Sequence, residues 1–302
     1  MSNLTLLHPV STLDNRLLLP AGSMLSRETL DALVSSSRTT RHQDHSVLQH
    51  GSVKEDLLQF LSQPTYQVIF RKKKQITDVL NLMQGIKTVF PVLESLDYFK
   101  QNDLYTYRHI LVVSALSALL AKDMISHHQD QIHEVATAPS HDFGKICVPL
   151  NILRKVDPLT QPERAILKHH TVAGYVLLSY YLKDMHDFTA RVARDHHERK
   201  DGSGYPRGVR LMDLMVEIVA VADIYDALIS PRPYRPIAYD NRTALEEITG
   251  MVERQEIGSE AVKALVARNR KSNPHYSECE LSTEKRGSAP PGNVYGVTAE
   301  EE

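Results

Sequence analysis

The sequence predicts a mainly α-helical protein preceded by a small mixed α/β module, and three observations carry that reading. Apolar residues recur at helical spacing from Val79, Leu80, Met83 and Ile86 onward. Strand-like sequence is confined to the front, around Arg16-Leu17-Leu18-Leu19. No regular internal period is present, which disfavours solenoids and propellers.

Residues 1–65 read as a small N-terminal regulatory or dimerisation module. Within it Pro20-Ala21-Gly22 turns the chain after the strand. Ser26 is placed to cap a helix over Arg27 to Ser36, with Leu30, Leu33 and Val34 as its apolar face. Thr39 to Gly51 is polar and reads as loop. Residues 66–100 form a connecting helical segment, whose helix from Ile76 is expected to run until Pro91. Residues 101–270 are the helical body. It opens with a helix over Tyr105 to Lys122 and continues from Thr160, where Thr160 and Glu163 form a capping box. Ala190 to Glu198 and Val216 to Ile229 extend the pattern, and stretches around Ala244 and Ala261 close it. Residues 271–302 are polar, with Gly, Pro and Ser, and are expected to pack poorly.

Composition narrows the function. The 302 residues are 42% hydrophobic and 24% charged, as in ordinary globular chains. Lys+Arg 35 against Asp+Glu 37 leaves a net charge of -2, so no basic stripe is available for a DNA or RNA polymer. Cys147 and Cys279 lie far apart, which gives no disulfide framework and fits a reducing cytoplasm. No basic segment followed by an apolar stretch stands at the front, so a secretory signal is not expected. The longest apolar run, Ile110 to Ala121, is interrupted by Ser114 and Ser117. A spanning helix needs about 20 apolar residues, so this run reads as a core helix and no membrane insertion is expected.

The chemistry-bearing residues fall into a few phrases. His196, His197 and Glu198 are followed by Asp201, Gly202 and a Gly204-Tyr205-Pro206 loop, and upstream stand His141, Asp142 and Lys145. Imidazole and carboxylate together suit borderline divalent metals. His141-Asp142 sets an imidazole beside an acid able to bridge two ions, and Lys145 follows within reach of a phosphate. His109 lies near the start of an apolar helix, where burial demands a partner or a metal. Asp223, amid Ala220, Val221, Ala222 and Ile224, poses the same demand; an unpaired buried carboxylate costs several kcal/mol, on the order of known ion desolvation penalties.

His141-Asp142-Phe143-Gly144-Lys145, the run from His196 to Gly208, and Val221-Ala222-Asp223 through Asp226-Ala227-Leu228 resemble the HD-GYP phosphodiesterases, over roughly Tyr105 to Arg235. The resemblance implies an all-helical HD-GYP domain that binds two or three metals, commonly iron or manganese. It implies hydrolysis of cyclic di-GMP through pGpG towards GMP in bacterial second-messenger signalling; some members act on cyclic GMP-AMP. Carried over by position, it implies metal ligation by His109, His141, Asp142, His170, His196, His197 and Asp223, with Asp142 between the ions. Asp142 and Lys145 would be catalytic. Lys145, Tyr205 and Arg235 are the candidate substrate contacts. The resemblance makes His170 rather than His169 the expected ligand, because it stands in the family's His-x-x-x-Gly frame with Gly174. Where some relatives place a Glu for a third ion this chain has Tyr105, so two divalent ions are expected.

Each assignment has a plainer alternative. Tyr205 either contacts substrate or only shapes the loop, and Arg232 and Arg235 either guide an anion or serve as ion-paired scaffold. Asp226 is as well explained by a structural hydrogen bond as by metal or substrate. His127, His128 and His133 read as solvated surface. Pro139, Glu217, Ile229 and Pro231 depart from the family pattern, which keeps open a slow or inactive cyclic dinucleotide receptor. An interaction scaffold with purely structural metals is a third class. Dimerisation, or contact with a signalling protein, falls to the N-terminal module.

Overall fold

Short strands and helices at the front hand the chain to three long buried helices that carry the site. A computed structural model describes residues 4–37, 45–210, 213–232 and 237–291. Strands β1 (Val10–Ser11) and β2 (Leu17–Leu19) pair antiparallel, with Val10 opposite Leu19, and helix α1 (Arg27–Ser36) follows. The Ser26 side chain accepts the Thr29 N–H and so satisfies one of the donors that a helix start leaves open. The described part of the polar stretch read as loop holds a strand. His45–Ser46 forms strand β3, paired with β4 (Lys87–Thr88), and Val47 and Leu48 behind it are buried. The earlier part of that stretch lies outside the described residues.

Helices α2 (Val53–Leu61), α3 (Pro64–Gln67) and α4 (Lys73–Gln84) come next. Helix α4 does not reach Pro91. It stops at Gly85, and Pro91 instead occupies the first turn of α5 (Phe90–Asn102), where a missing N–H costs nothing.

Helix α6 (Leu104–Met124) is capped by Asp103, whose carboxylate accepts the Thr106 N–H and the Thr106 hydroxyl. It spans 21 residues, one residue earlier and two later than the expected Tyr105 to Lys122, and its length and hydropathy would suffice to cross a bilayer. Its apolar window is, however, 83% buried within the fold. After α7 (His128–Val135), Pro139 restarts the chain in a single 3-10 turn, Ala138–Ser140, and a second, Phe143–Cys147, follows the His-Asp pair. His127, His128 and His133 lie exposed, with His133 stacked near Phe188.

Helix α8 (Leu150–Leu153) leads to α9 (Gln161–Lys168), which starts on the expected reciprocal box. Glu163 N–H donates to Thr160 Oγ1, and Thr160 N–H donates to Glu163 Oε2 at 2.8 Å. Helices α10 (His170–Leu182) and α12 (Leu214–Ile229) are apolar on every side, the pattern of helices buried in a core. Between them α11 (Phe188–Asp195) ends earlier than its sequence pattern implied, so His196 closes that helix and His197 lies beyond it.

Helices α13 (Asn241–Glu253) and α14 (Ser259–Asn269) complete the body. The segment after Lys271, expected to pack poorly, is tied down as far as Gly287. Cys279 is buried, and the N–H groups of Arg286 and Gly287 donate to Glu246 Oε2 at 3.0 and 2.8 Å.

Two apolar clusters hold these parts. One gathers α2 to α6 with α12 to α14 and includes Leu57, Tyr66, Phe99, Leu116 and Val219. The other seats Leu6, Val10, Leu30 and Leu33 on α10, so the front of the chain packs directly on a helix of the site.

Candidate metal centre

Seven side chains from five places in the fold converge. His109 comes from the second turn of α6, His141 and Asp142 from the junction of the two 3-10 turns, and His170 from the first residue of α10. His196 and His197 come from the end of α11, and Asp223 from the middle of α12. The ligand atoms of His170, His196 and His197 lie within 4.8 Å of one another, and so do those of His109, His141 and Asp142. Asp142 joins the sets. Its Oδ1 is 3.4 Å from His170 Nε2 and 4.0 Å from His196 Nε2, whereas its Oδ2 is 3.5 Å from His109 Nε2 and 3.4 Å from His141 Nε2. Asp223 spans them again, with Oδ1 3.0 Å from His109 Nε2 and Oδ2 3.9 Å from His197 Nδ1.

Backbone geometry sets the tautomers. His141, His170 and His196 each turn Nδ1 to the carbonyl oxygen three residues earlier, on Ala138, Leu167 and Ala193, at 2.7, 2.7 and 2.9 Å. A ring nitrogen facing a carbonyl carries the hydrogen, so each Nε2 presents its lone pair inward. The buried His141 Nε2 has no hydrogen-bond partner, and the Nε2 atoms of His170 and His196 face each other at 3.4 Å as two acceptors. Orphaned acceptors at this depth are costly unless a cation lies among them. The donor set therefore fits divalent metal ions.

Protonation agrees with that fit. Burial pushes His170 down to about 4, partly countered by Asp142, and burial together with His141 and His170 pushes His196 down to about 3. Burial likewise drives His197 well below the ordinary imidazole range. Burial alone would raise Asp142 and Asp223, but Lys145 and His141 hold the first, and His109 and His197 the second, well below the usual carboxylate range. His109 is the exception. Burial works to lower it, yet Asp223 and Asp226 raise it.

Glycines set the spacing. A Cβ on Gly144 would stand 1.9 Å from the His170 carbonyl oxygen and 2.4 Å from Gly174 N, so only glycine lets the His-Asp turn lie against the start of α10. At Gly204 a Cβ would stand 2.4 Å from both Arg199 N and the His197 carbonyl oxygen. Glu198 clamps the loop, its buried carboxylate accepting the N–H groups of Arg207 and Val209 at 2.8 and 3.0 Å.

A cavity of about 350 Å³ opens beside His109, His170, His197 and Asp223. Lys145, Arg164, Lys168 and Arg232 supply cations to its lining, and Tyr105 and Tyr205 supply rings, a composition suited to an anion with flat groups. Lys145 donates to Asp142 Oδ2 at 2.6 Å. Tyr205 lies almost parallel to His197, ring centroids 4.7 Å apart, and so braces that imidazole as well as lining the cavity. Tyr105 stacks on His109 at 5.9 Å, with the Arg232 guanidinium 5.0 Å from its ring centre. Arg235 lies outside the described residues. His169 turns away, its ring edge-on to His8. Glu217 is buried against Gly258 and does not line the cavity.

Sequence reasoning missed one set of contacts. Asp226 Oδ2 accepts the Nδ1–H of His109 at 2.7 Å, and its other oxygen takes hydrogen bonds from Tyr66 and Ser230. The spacing of Asp226, one turn after Asp223, was the available signal; Tyr66 offered none.

The sequence profile of the HD domain family matches residues 89–260, more than half of the chain, which belongs to that family. Among characterised relatives, the chain is 39% identical over 168 residues to a cyclic di-GMP phosphodiesterase of Thermotoga maritima, covering 55% of this chain and 44% of that protein. It is 43% identical over 126 residues to the cyclic di-GMP phosphodiesterase response regulator RpfG of Xanthomonas campestris, covering 41% of this chain and 33% of the relative. It is also 37% identical over 134 residues to a 3'3'-cGAMP-specific phosphodiesterase of Vibrio cholerae, covering 43% of this chain and 30% of the relative. The matched segments span less than half the length of each of these relatives.

Proposed function

We propose that this chain is a metal-dependent phosphodiesterase that hydrolyses cyclic di-GMP to pGpG, to GMP or to both in bacterial second-messenger signalling. The observation that carries the reading is Asp142, whose two oxygens turn to separate imidazole sets. Two divalent ions, iron or manganese, would be held there: one by His109, His141, Asp142 and Asp223, the other by His170, His196, His197 and Asp142. When bound, such ions supply Lewis acidity to the phosphoryl group and make water acidic enough to attack at neutral pH.

The chain's own residues orient and neutralise. The cationic cavity draws in the phosphates, and Lys145, at the lip beside Asp142, meets the scissile phosphate as charge builds on it. Tyr205 and Tyr105 offer rings near the bases, and Arg235 is the remaining candidate phosphate contact. Hydrolysis breaks the bond between phosphorus and the ribose 3′ oxygen. Water's oxygen goes to phosphorus and a proton to the departing oxygen.

Cyclic GMP-AMP is the second substrate to test, because the Vibrio cholerae relative is specific for it. The same reading puts the chain in the cytoplasm, without membrane insertion and without a nucleic-acid polymer as partner. Residues 1–65 would serve as the dimerising or signal-receiving module, 66–100 as the connection, 101–270 as the catalytic domain and 271–302 as the tail. Metal analysis and product chromatography on one anaerobic preparation test the proposal. Conversion of cyclic di-GMP to linear product with bound iron or manganese is expected. Tight binding without turnover would make the chain a receptor, and faster turnover of cyclic GMP-AMP would reassign its substrate.

A further inference from the structure

Tyr66 lies in α3, ahead of the region that the HD family profile covers, yet its hydroxyl reaches the metal centre through one intermediary. Its ring is fully buried, and so are Asp226 and Ser230. Arg108 Nη1 donates to the Tyr66 hydroxyl oxygen at 2.5 Å and to Ser230 Oγ at 2.9 Å. The two hydroxyl oxygens lie 2.9 Å from each other, each accepts from the guanidinium, and each hydroxyl also reaches Asp226. Tyr66 and Ser230 donate to its Oδ1, the latter at 3.0 Å. Arg108 Nη2 stands 3.6 Å from Oδ2, which is left to accept the Nδ1–H of His109 at 2.7 Å. With Nδ1 committed, Nε2 of His109 points to Asp142 and Asp223.

We propose that Tyr66, acting with Arg108 and Ser230, is a positioning residue of the metal centre: it fixes Asp226, which fixes the tautomer and orientation of His109. The segment preceding the HD region is thereby part of the site, and a displacement of α3 reaches a metal ligand through hydrogen bonds alone. The inference rests on His109 being a ligand. Outer partners of ligating histidines commonly contribute 10–100-fold to metal affinity; a partner one step further out is expected to contribute about 3–10-fold.

The test compares the wild-type chain, Tyr66→Phe and Leu57→Ala, each stripped of metal by chelation and titrated with Mn²⁺. Co²⁺ is added separately as a visible-absorption probe of the ligand field. Leu57→Ala opens a hole in the same apolar cluster while leaving the polar chain to Asp226 intact. Tyr66→Phe should weaken Mn²⁺ binding about 3–10-fold and alter the Co²⁺ spectrum. Leu57→Ala should lower the melting temperature but keep affinity within about twofold, since no ligand partner is removed. If Tyr66→Phe does not fold, Ser230→Ala removes the second donor to Asp226 and should show the same change in the Co²⁺ spectrum. Wild-type affinity and spectrum in these hydroxyl variants would overturn the proposal, as would an equal loss in Leu57→Ala. A wild-type chain that takes up no Mn²⁺ would sink the metal reading as well. Wild-type uptake with an unchanged Tyr66→Phe would sink the positioning role alone.

Discussion

The Nε2 atoms of His170 and His196 face each other at 3.4 Å while both Nδ1 atoms are turned to backbone carbonyls. Two lone pairs in that arrangement repel, and a shared cation relieves the repulsion. Metal should therefore stabilise the fold strongly. Saturation at about 100 times the dissociation constant contributes about 2.7 kcal/mol, so Mn²⁺ is expected to raise the melting temperature by about 5 °C over the chelated protein. Calorimetry checks this, and His170→Ala should lose most of the rise.

Gly144 sets the distance between the His-Asp turn and α10. Gly144→Ala forces a Cβ to within 1.9 Å of a backbone oxygen that cannot yield without moving His170. The variant is expected to lose about 2 kcal/mol or more of stability in urea, together with metal affinity. A variant indistinguishable from wild type would mean the two segments lie further apart.

Lys145 touches Asp142 and lines the cavity, so its charge serves the substrate as well as the carboxylate. Lys145→Met should lower kcat about 100-fold, the scale of losing one charge-stabilising donor, while metal content stays at the wild-type level. Activity within threefold of wild type would remove Lys145 from the mechanism.

Acid should destabilise the metal-free protein before its carboxylates titrate. His170 and His196 are held at about 4 and about 3, against an ordinary value of 6.5. The unfolded chain thus binds more protons between about pH 6.5 and 4, and stability falls as pH drops through that window. His109, raised, has the opposite sign: its contribution is complete below 6.5 and is lost as pH rises through its folded value. With the lowered imidazoles outnumbering it, a net loss of about 1–2 kcal/mol per pH unit is expected between pH 6.5 and 4.5. Melting curves in chelator at several pH values measure it, and a flat profile would contradict the buried neutral imidazoles.

His109 and Asp223 were legible because each breaks a local rule, and the other ligands because they stand in phrases that resemble a known family, His170 by that resemblance alone. His109 and Asp223 are polar intrusions in apolar helices, and the His-Asp and His-His-Glu phrases are compact in sequence. Helices α6 and α12 showed for a related reason, since their apolar residues recur on every side, whereas α10 was not separated from the helix that starts at Thr160. What stayed hidden depends on contacts between distant segments. Tyr66 meets Asp226 across 160 residues, and no pattern near Tyr66 records it. The pairing of β3 with β4, the stop of α4 at Gly85 and the docking of Arg286 and Gly287 on Glu246 are equally non-local. Glu198 lay within a recognised phrase, but its clamp on Arg207 and Val209 emerges only once the loop has closed.

Anomalous X-ray diffraction from crystals grown anaerobically with Mn²⁺ tests the central claim most directly. Two peaks are expected, one reached by His109, His141 and Asp223 and one by His170, His196 and His197, with Asp142 contributing an oxygen to each at about 2.0–2.2 Å. A map without density among these side chains, or with Asp142 turned away from both peaks, would contradict it.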